Sequence, residues 1–153
     1  GIQYLLDFIC ANIEREKRIL DYGCGIGSLG IRLAQAGYTD ISYADVESLC
    51  TEFLKWRYGE TAYSFFDLQE SKPEPFDFVS CYNLLEHVHD PWKVFEHMEQ
   101  WGTPVLWINT RFKKESEYQL HYNLDDFVER LEGERSIAKK QEGDGFKLFI
   151  LSS

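Results

Sequence analysis

Apolar residues recur along this chain with two periods that take turns. Ile2, Leu5, Leu6, Ile9 and Ile13 keep helical spacing and predict a helix over Ile2–Glu14, after which polar Arg15–Lys17 leads into a short apolar strand, Arg18–Leu20. Glycines follow at once. Ser28–Ala36 reads as a second helix closed by Gly37, Asp40–Ala44 as a strand, Ser48–Tyr58 as a helix ended by Gly59, and Ala62–Phe66 as a third strand. Phe76–Cys81 predicts a fourth strand, Pro91–Trp101 a helix with proline in its first turn, and Pro104–Asn109 a fifth strand. Leu124–Leu131 is the last amphipathic helix. Beyond it, Arg135–Gln141 and Phe146–Leu151 flank Glu142-Gly143-Asp144-Gly145, whose turn chemistry predicts a hairpin. Strands alternating with helices imply an α/β fold: a mostly parallel sheet covered by helices on both faces, here ending in an antiparallel pair. One link fits poorly, because Leu68–Pro75 is too short for the helical crossover that parallel strands ordinarily need.

Composition narrows the picture. With 153 residues, 44% of them hydrophobic and 16% aromatic, the chain can close one sizeable core and is read as one domain. Its longest apolar runs, such as Pro104–Ile108, are too short to span a bilayer, and no charged-then-apolar leader precedes Tyr4, so no membrane partner is expected. The chain begins at Gly1 rather than Met, which fits a trimmed chain or a piece of a longer protein. A formal net charge of -10 argues against nucleic acid as a partner, since phosphate-binding faces are built from clustered Lys and Arg. The one basic cluster, Arg111-Phe112-Lys113-Lys114, is answered by Glu115 and Glu117 and reads as a solvated loop. The cysteines Cys10, Cys24, Cys50 and Cys81 show no paired spacing, which points to a reducing, cytoplasmic setting rather than to disulfides or zinc.

In open α/β sheets, ligands bind outside the carboxyl ends of the strands, where strand order reverses. The polar and glycine residues of this chain collect there. Asp21 through Gly27 follow the first predicted strand, Asp45 closes the second, Asp67 the third, Tyr82 and Asn83 the fourth, and Asn109 and Thr110 the fifth. Asp21-Tyr22-Gly23-Cys24-Gly25-Ile26-Gly27 carries the sharpest signal. Its alternating glycines permit a tight turn and a close approach of ligand to backbone, and the helix behind it offers free N–H groups to a carboxylate. Asp45 stands near the interval at which such folds place an acid for ribose hydroxyls. Gly25-Ile26-Gly27-Ser28-Leu29-Gly30 also matches the dinucleotide fingerprint literally, so an NAD-type domain is an alternative. Two features weigh against it: the first glycine of that register does not follow the strand directly, and Asp21 would face a pyrophosphate.

Ile19-Leu20-Asp21-Tyr22-Gly23-Cys24-Gly25-Ile26-Gly27 resembles the first motif of class I S-adenosylmethionine-dependent methyltransferases. Ile41–Asp45 resembles their second-strand motif, Phe66-Asp67-Leu68 their adenine-contacting segment, and Pro75–Pro91 their fourth-strand motif. The resemblance covers nearly the whole chain. It implies a three-layer α/β/α Rossmann-like sandwich with a seven-stranded, mostly parallel sheet and an antiparallel C-terminal hairpin, making one methyltransferase domain over residues 1–153. It further implies S-adenosyl-L-methionine as cofactor and a small-molecule substrate, and the short link at Leu68–Pro75 resembles that of small-molecule members. By position, Gly23, Cys24, Gly25 and Gly27 would cradle the methionine part of the cofactor, with Asp21 near its amino group. Asp45 would hold the ribose diol, Val46 would pack on the adenine, Asp67 and Leu68 would contact the adenine edge, and Tyr82 and Asn83 would line the floor near the sulfonium.

Methyl transfer from a sulfonium needs alignment more than a dedicated base. Where the acceptor must lose a proton, His87 and Tyr82 are the candidate catalytic residues. Glu86-His87-Val88-His89 invites a metal reading. The Leu-Glu-His pattern resembles that of ubiquinone-pathway O-methyltransferases, some of which use a divalent ion through an acid three residues earlier, but that position is Asn83 here, so no metal is expected. His121 is a candidate for a substrate lid, against an ordinary surface or capping role. Trp92, Trp101 and Trp107 read as core, and neither Cys24 nor Cys81 has a cationic neighbour in sequence that would make it a thiolate. A third reading, from another class, is a cofactor-binding module that leaves catalysis to a larger assembly.

Overall fold

The computed structural model describes residues 1–59, 64–110 and 121–152. In chain order the elements are α1 (Ile2–Asn12), β1 (Ile19–Tyr22), α2 (Ser28–Gln35), β2 (Ile41–Asp45), α3 (Leu49–Tyr58), β3 (Ser64–Asp67), β4 (Phe78–Cys81), a 3₁₀ turn (Leu85–His87), α4 (Pro91–Glu99), β5 (Thr103–Asn109), α5 (Asp125–Glu134), β6 (Ile137–Gly143) and β7 (Phe146–Leu151). The seven strands form one sheet in the order β3-β2-β1-β4-β5-β7-β6. The first five pair in parallel, while β7 runs antiparallel to both β5 and β6.

Alternation along the strands feeds a core on each face of the sheet. On β5, Leu106 and Ile108 join Leu20, Cys81, Phe95, Trp101 and Leu131 under α4 and α5. Val105 and Trp107 turn the other way, to Leu5, Ile9, Leu33 and Phe146 under α1 and α2. Trp92, Trp101 and Trp107 are buried, as expected of core residues.

Differences from the sequence reading fall at element ends. Ile13 leaves α1 in an extended conformation, so that helix stops at Asn12. β1 continues through Asp21 and Tyr22, which pair in register with Tyr43 and Ala44 on one side and Ser80 and Cys81 on the other. Asp21 therefore lies inside the strand rather than after it. β4 starts at Phe78, two residues later than read, and β6 starts at Ile137. The strand start at Ala62 and the basic cluster beginning at Arg111 lie outside the described residues. The link from β3 to β4 holds no helix, and Phe66, Phe76 and Trp101 pack edge to face beside it, with ring centroids 5.3 Å (Phe66–Trp101) and 5.9 Å (Phe66–Phe76) apart. Among the described residues no helix is long and apolar enough to cross a membrane.

Candidate active site

Parallel order brings the carboxyl ends of β1, β2, β3, β4 and β5 to one edge, and chain order reverses between β1 and β4. The turn after β1 is held to β2 by its backbone. Gly23 and Cys24 N–H both donate to the Ala44 carbonyl, at 2.7 and 3.1 Å. Gly23, Gly25 and Gly27 take φ of 70°, 52° and 77°, left-handed values that favour glycine. A Cβ on Gly23 would also come within 2.6 Å of the Leu84 side chain, whereas one on Gly25 would meet nothing within 4 Å. Gly25 thus faces open space.

Asp45 closes this arrangement. Its Oδ2 accepts from the Gly25 N–H at 2.7 Å and its Oδ1 from the Val46 N–H at 2.7 Å. Asp67 stands beside it in register and accepts from the Gln69 N–H at 2.9 Å, while the Leu68 N–H donates to the Asp45 carbonyl at 3.0 Å. Ile26 and Val46 expose 42% and 43% of their surface next to the glycine turn and the acid, leaving an apolar rim beside polar groups.

Asp21 sits deeper. It is 3% exposed and its Oδ2 accepts from the Gly30 N–H in the first turn of α2, at 3.0 Å. Burial pushes its carboxyl up to about 7, against the Gly30 hydrogen bond that pulls it down, and the nearby Asp45 charge adds to the rise. Cys24 packs its side chain inward with Tyr43 and Leu54, and its thiol donates to the Gly25 carbonyl at 3.8 Å. Burial pushes the Cys24 and Cys81 thiols well above their usual range, so neither is a thiolate. Beneath the turn the Tyr22 hydroxyl is 2.6 Å from His97 Nδ1 on α4, which pins β1 to the helix layer.

At the tip of β4, Asn83 takes φ 50°, the one non-glycine left-handed residue among those described. Strain of this kind collects at functional sites. Tyr82 packs on Trp107 with ring centroids 5.7 Å apart and, with Asn83, Tyr4 and Asn109, lines a cavity of about 440 Å³. Trp107 lines the same cavity, and its buried indole N–H has no hydrogen-bond partner among the described residues.

The 3₁₀ turn then carries His87. Tyr122 N–H donates to the Glu86 carbonyl at 2.7 Å, docking the segment that starts at His121 onto this turn. The rings of His87 and His121 come within 4.4 Å, and those of His89 and Tyr122 stack at 6.0 Å. Two histidines named separately from the sequence therefore meet. The structure adds Glu86, 1% exposed, which was not among the candidate site residues. Its signal was available: a lone acid directly after Leu84 and Leu85 in a segment that must turn back on the sheet.

The fold separates this chain from dinucleotide-binding domains, whose sheets run 3-2-1-4-5-6 in parallel. Here β7 intervenes antiparallel between β5 and β6, and Gly30 of the literal fingerprint is committed to Asp21. A family model described as "Methyltransferase domain" matches residues 2–108. This chain belongs to that methyltransferase-domain family. Ubiquinone biosynthesis O-methyltransferase from Neisseria meningitidis serogroup C is 36% identical over 95 residues, covering 56% of this chain and 40% of that protein. The chain thus spans about two fifths of the curated relative it matches. Among solved structures, magnesium protoporphyrin IX methyltransferase from Synechocystis PCC 6803 with bound SAH superposes with a TM-score of 0.76 at 18% identity, covering 99% of this chain and 82% of the other. Burkholderia thailandensis 1,6-didemethyltoxoflavin-N1-methyltransferase gives 0.72 at 17% identity, covering 98% and 76%. At those identities the likeness is one of fold.

Proposed function

We propose that residues 1–153 form one methyltransferase domain that binds S-adenosylmethionine across the tips of β1, β2 and β4 and transfers its methyl group to a small molecule. The observation that carries this reading is the 2.7 Å contact between the Gly25 amide and the Asp45 carboxylate, with open space over Gly25. Family membership and the neighbours solved with SAH support it.

The residues fit such a nucleoside. Each Asp45 oxygen accepts one backbone N–H and keeps a further lone pair for a ribose hydroxyl. Ile26 and Val46 offer apolar surface to a flat base, and Asp67 stands one strand further along. α2 has no side-chain cap at Gly27 and its Gly30 amide is held by Asp21, which leaves the amides ahead of Gly30 to a carboxylate. Asp21 lies behind these amides and would favour a cationic group in front of them. Bound there, the cofactor supplies a methyl group on a sulfonium, an already activated leaving group. The protein then has to align acceptor and methyl and keep water out, a task worth several kcal/mol of barrier. Tyr82 and Asn83 would form the floor at the β4 tip, and where the acceptor must lose a proton His87 or Tyr82 would take it.

Calorimetric titration with S-adenosylmethionine and S-adenosylhomocysteine tests this reading. Micromolar binding is expected, with Asp45→Ala weakening it by about 2 kcal/mol, roughly thirtyfold. No heat with either compound would remove the proposal. A second reading, a binding module without its own catalysis, draws on the 40% coverage of the curated relative. It loses its ground if a metabolite extract incubated with the chain and labelled cofactor yields any methylated product.

A further inference from the structure

Four aromatic rings from separate stretches of the chain meet around one cavity at the working edge. Tyr4 comes from the first turn of α1, Tyr82 follows β4, Trp107 belongs to β5 and Phe146 opens β7, and all four line the space of about 440 Å³. The rings touch in sequence. Tyr4 packs on Phe146 with centroids 5.2 Å apart, Phe146 stacks on Trp107 at 4.4 Å with an interplanar angle of 16°, and Trp107 meets Tyr82 at 5.7 Å. Trp107 and Phe146 are buried, so the core fixes the middle of this belt, whereas Tyr4 at its outer end keeps 54% of its surface open. A ring left open at the end of a packed aromatic row is a place where a further ring can continue it. Phe146 lies outside residues 2–108, the span matched by the methyltransferase-domain model, so the belt is completed by a residue beyond the family's shared part.

We propose that this belt selects the methyl acceptor, and that the acceptor is a flat aromatic or heteroaromatic ring without negative charge, stacked on Tyr4 and held beside Tyr82. The inference rests on the methyltransferase reading and deepens it by naming the substrate class. Tyr82 and Asn83 belong both to this cavity and to the floor proposed for the cofactor, so a ring seated here adjoins the place where the methyl group is delivered. The cavity lies in the size range of small-ligand sites, with aromatic walls and the amides of Asn83 and Asn109 as polar points. Its described lining residues include no lysine, arginine or histidine, so a carboxylate or phosphate finds no cationic side chain there. A cation needs an open ring face at close range, and Trp107 and Phe146 close theirs on each other. The buried indole N–H of Trp107, without a partner among the described residues, leaves an unmatched donor in this wall. In transfer, a lone pair on the ring or its substituent bonds to the methyl carbon, the methyl–sulfur pair goes to sulfur, and any proton displaced leaves to solvent.

The indole N–H resonances of the four tryptophans, assigned by triple-resonance NMR of the parent protein, test the inference without turnover. The protein is titrated, with and without S-adenosylhomocysteine, with 2-naphthol and with decahydro-2-naphthol, which keeps the carbon skeleton but has no flat ring. The Trp107 signal is expected to move saturably with 2-naphthol. The saturated compound is expected to bind about tenfold more weakly, the worth of a ring contact or two beyond area burial. Equal affinity, or binding that leaves the Trp107 signal unmoved, would overturn the proposal. Tighter binding of 2-naphthoate would overturn it in favour of an anion site, and tighter binding of tetramethylammonium in favour of a cation site. Tyr4→Leu keeps apolar bulk at a half-exposed position and is expected to weaken 2-naphthol roughly three- to tenfold. Parental affinity in the folded variant refutes stacking on Tyr4. The S-adenosylhomocysteine titration separates the two claims. If that compound binds and 2-naphthol does not, the ring site alone falls, whereas its own failure to bind defeats the methyltransferase reading whatever 2-naphthol does.

Discussion

Asp21 shows what burial does to one residue of a binding motif. Its carboxyl rises from 3.8 to about 7 on folding, chiefly by desolvation. Between those values the folded chain holds a proton that the unfolded chain has released. Stability from this group is therefore greatest at low pH and falls as pH climbs from about 4 to about 7, by at most ~1.4 kcal/mol per pH unit. In Asp21→Asn that slope should vanish, because an amide oxygen can still accept from Gly30 without titrating. Melting the parent and the variant at intervals from pH 4.5 to 7.5 checks it: the gap between them should widen towards high pH in favour of the variant. A parallel pair of curves would mean that Asp21 is ionised throughout.

At the scale of elements, the turn between β1 and α2 does two jobs that substitutions can separate. Gly23 has φ 70° and no room for a Cβ against Leu84, so Gly23→Ala should cost at least about 1–2 kcal/mol of stability and also weaken cofactor binding. Gly37, at φ 95° after α2, has only the Arg15 side chain near a new Cβ, at 3.9 Å. Gly37→Ala should lose comparable stability in denaturant titration while binding as the parent does. The helices and strands were legible in the sequence because their apolar period is strong and glycines punctuate it. Their ends were harder. β1 reads short because Asp21 and Tyr22 carry polar groups, yet both pair in the ladder with the Asp21 carboxylate supplied by the Gly30 amide. The glycine turn and Asp45 were legible as a pair because parallel strands bring successive tips to one edge. The meeting of His87 with His121 was not, since it depends on how a segment far along the chain docks on the 3₁₀ turn. Nor was the inward rotation of Glu86, which backbone geometry decides.

For the molecule as a whole, a net charge of -10 coexists with local ion pairs that offset only part of it. Arg135 grips Glu99 through two contacts, at 2.8 and 3.0 Å, and joins the end of α5 to α4. Lys140 and Lys147 on the β6–β7 hairpin gather around Glu142 of the same hairpin and Glu132 of α5. These pairs are partly exposed and worth little each, so self-repulsion of the excess acids dominates the response to salt. Raising ionic strength from about 0.02 to about 0.5 M shortens the screening length severalfold and should raise Tm. A fall in Tm would mean that the ion pairs outweigh the repulsion.

The direction of β7 carries a practical consequence. Because β7 runs against β5, its last residues finish where the parallel strands start, and Ser152 lies in a recess with Lys17 and Asp77. Gly1, by contrast, borders the recess of Tyr82 and Asn83 at the working edge. A fluorophore carried at Ser152 would leave the proposed cofactor edge clear, whereas one carried at Gly1 would stand over it and compete with whatever enters.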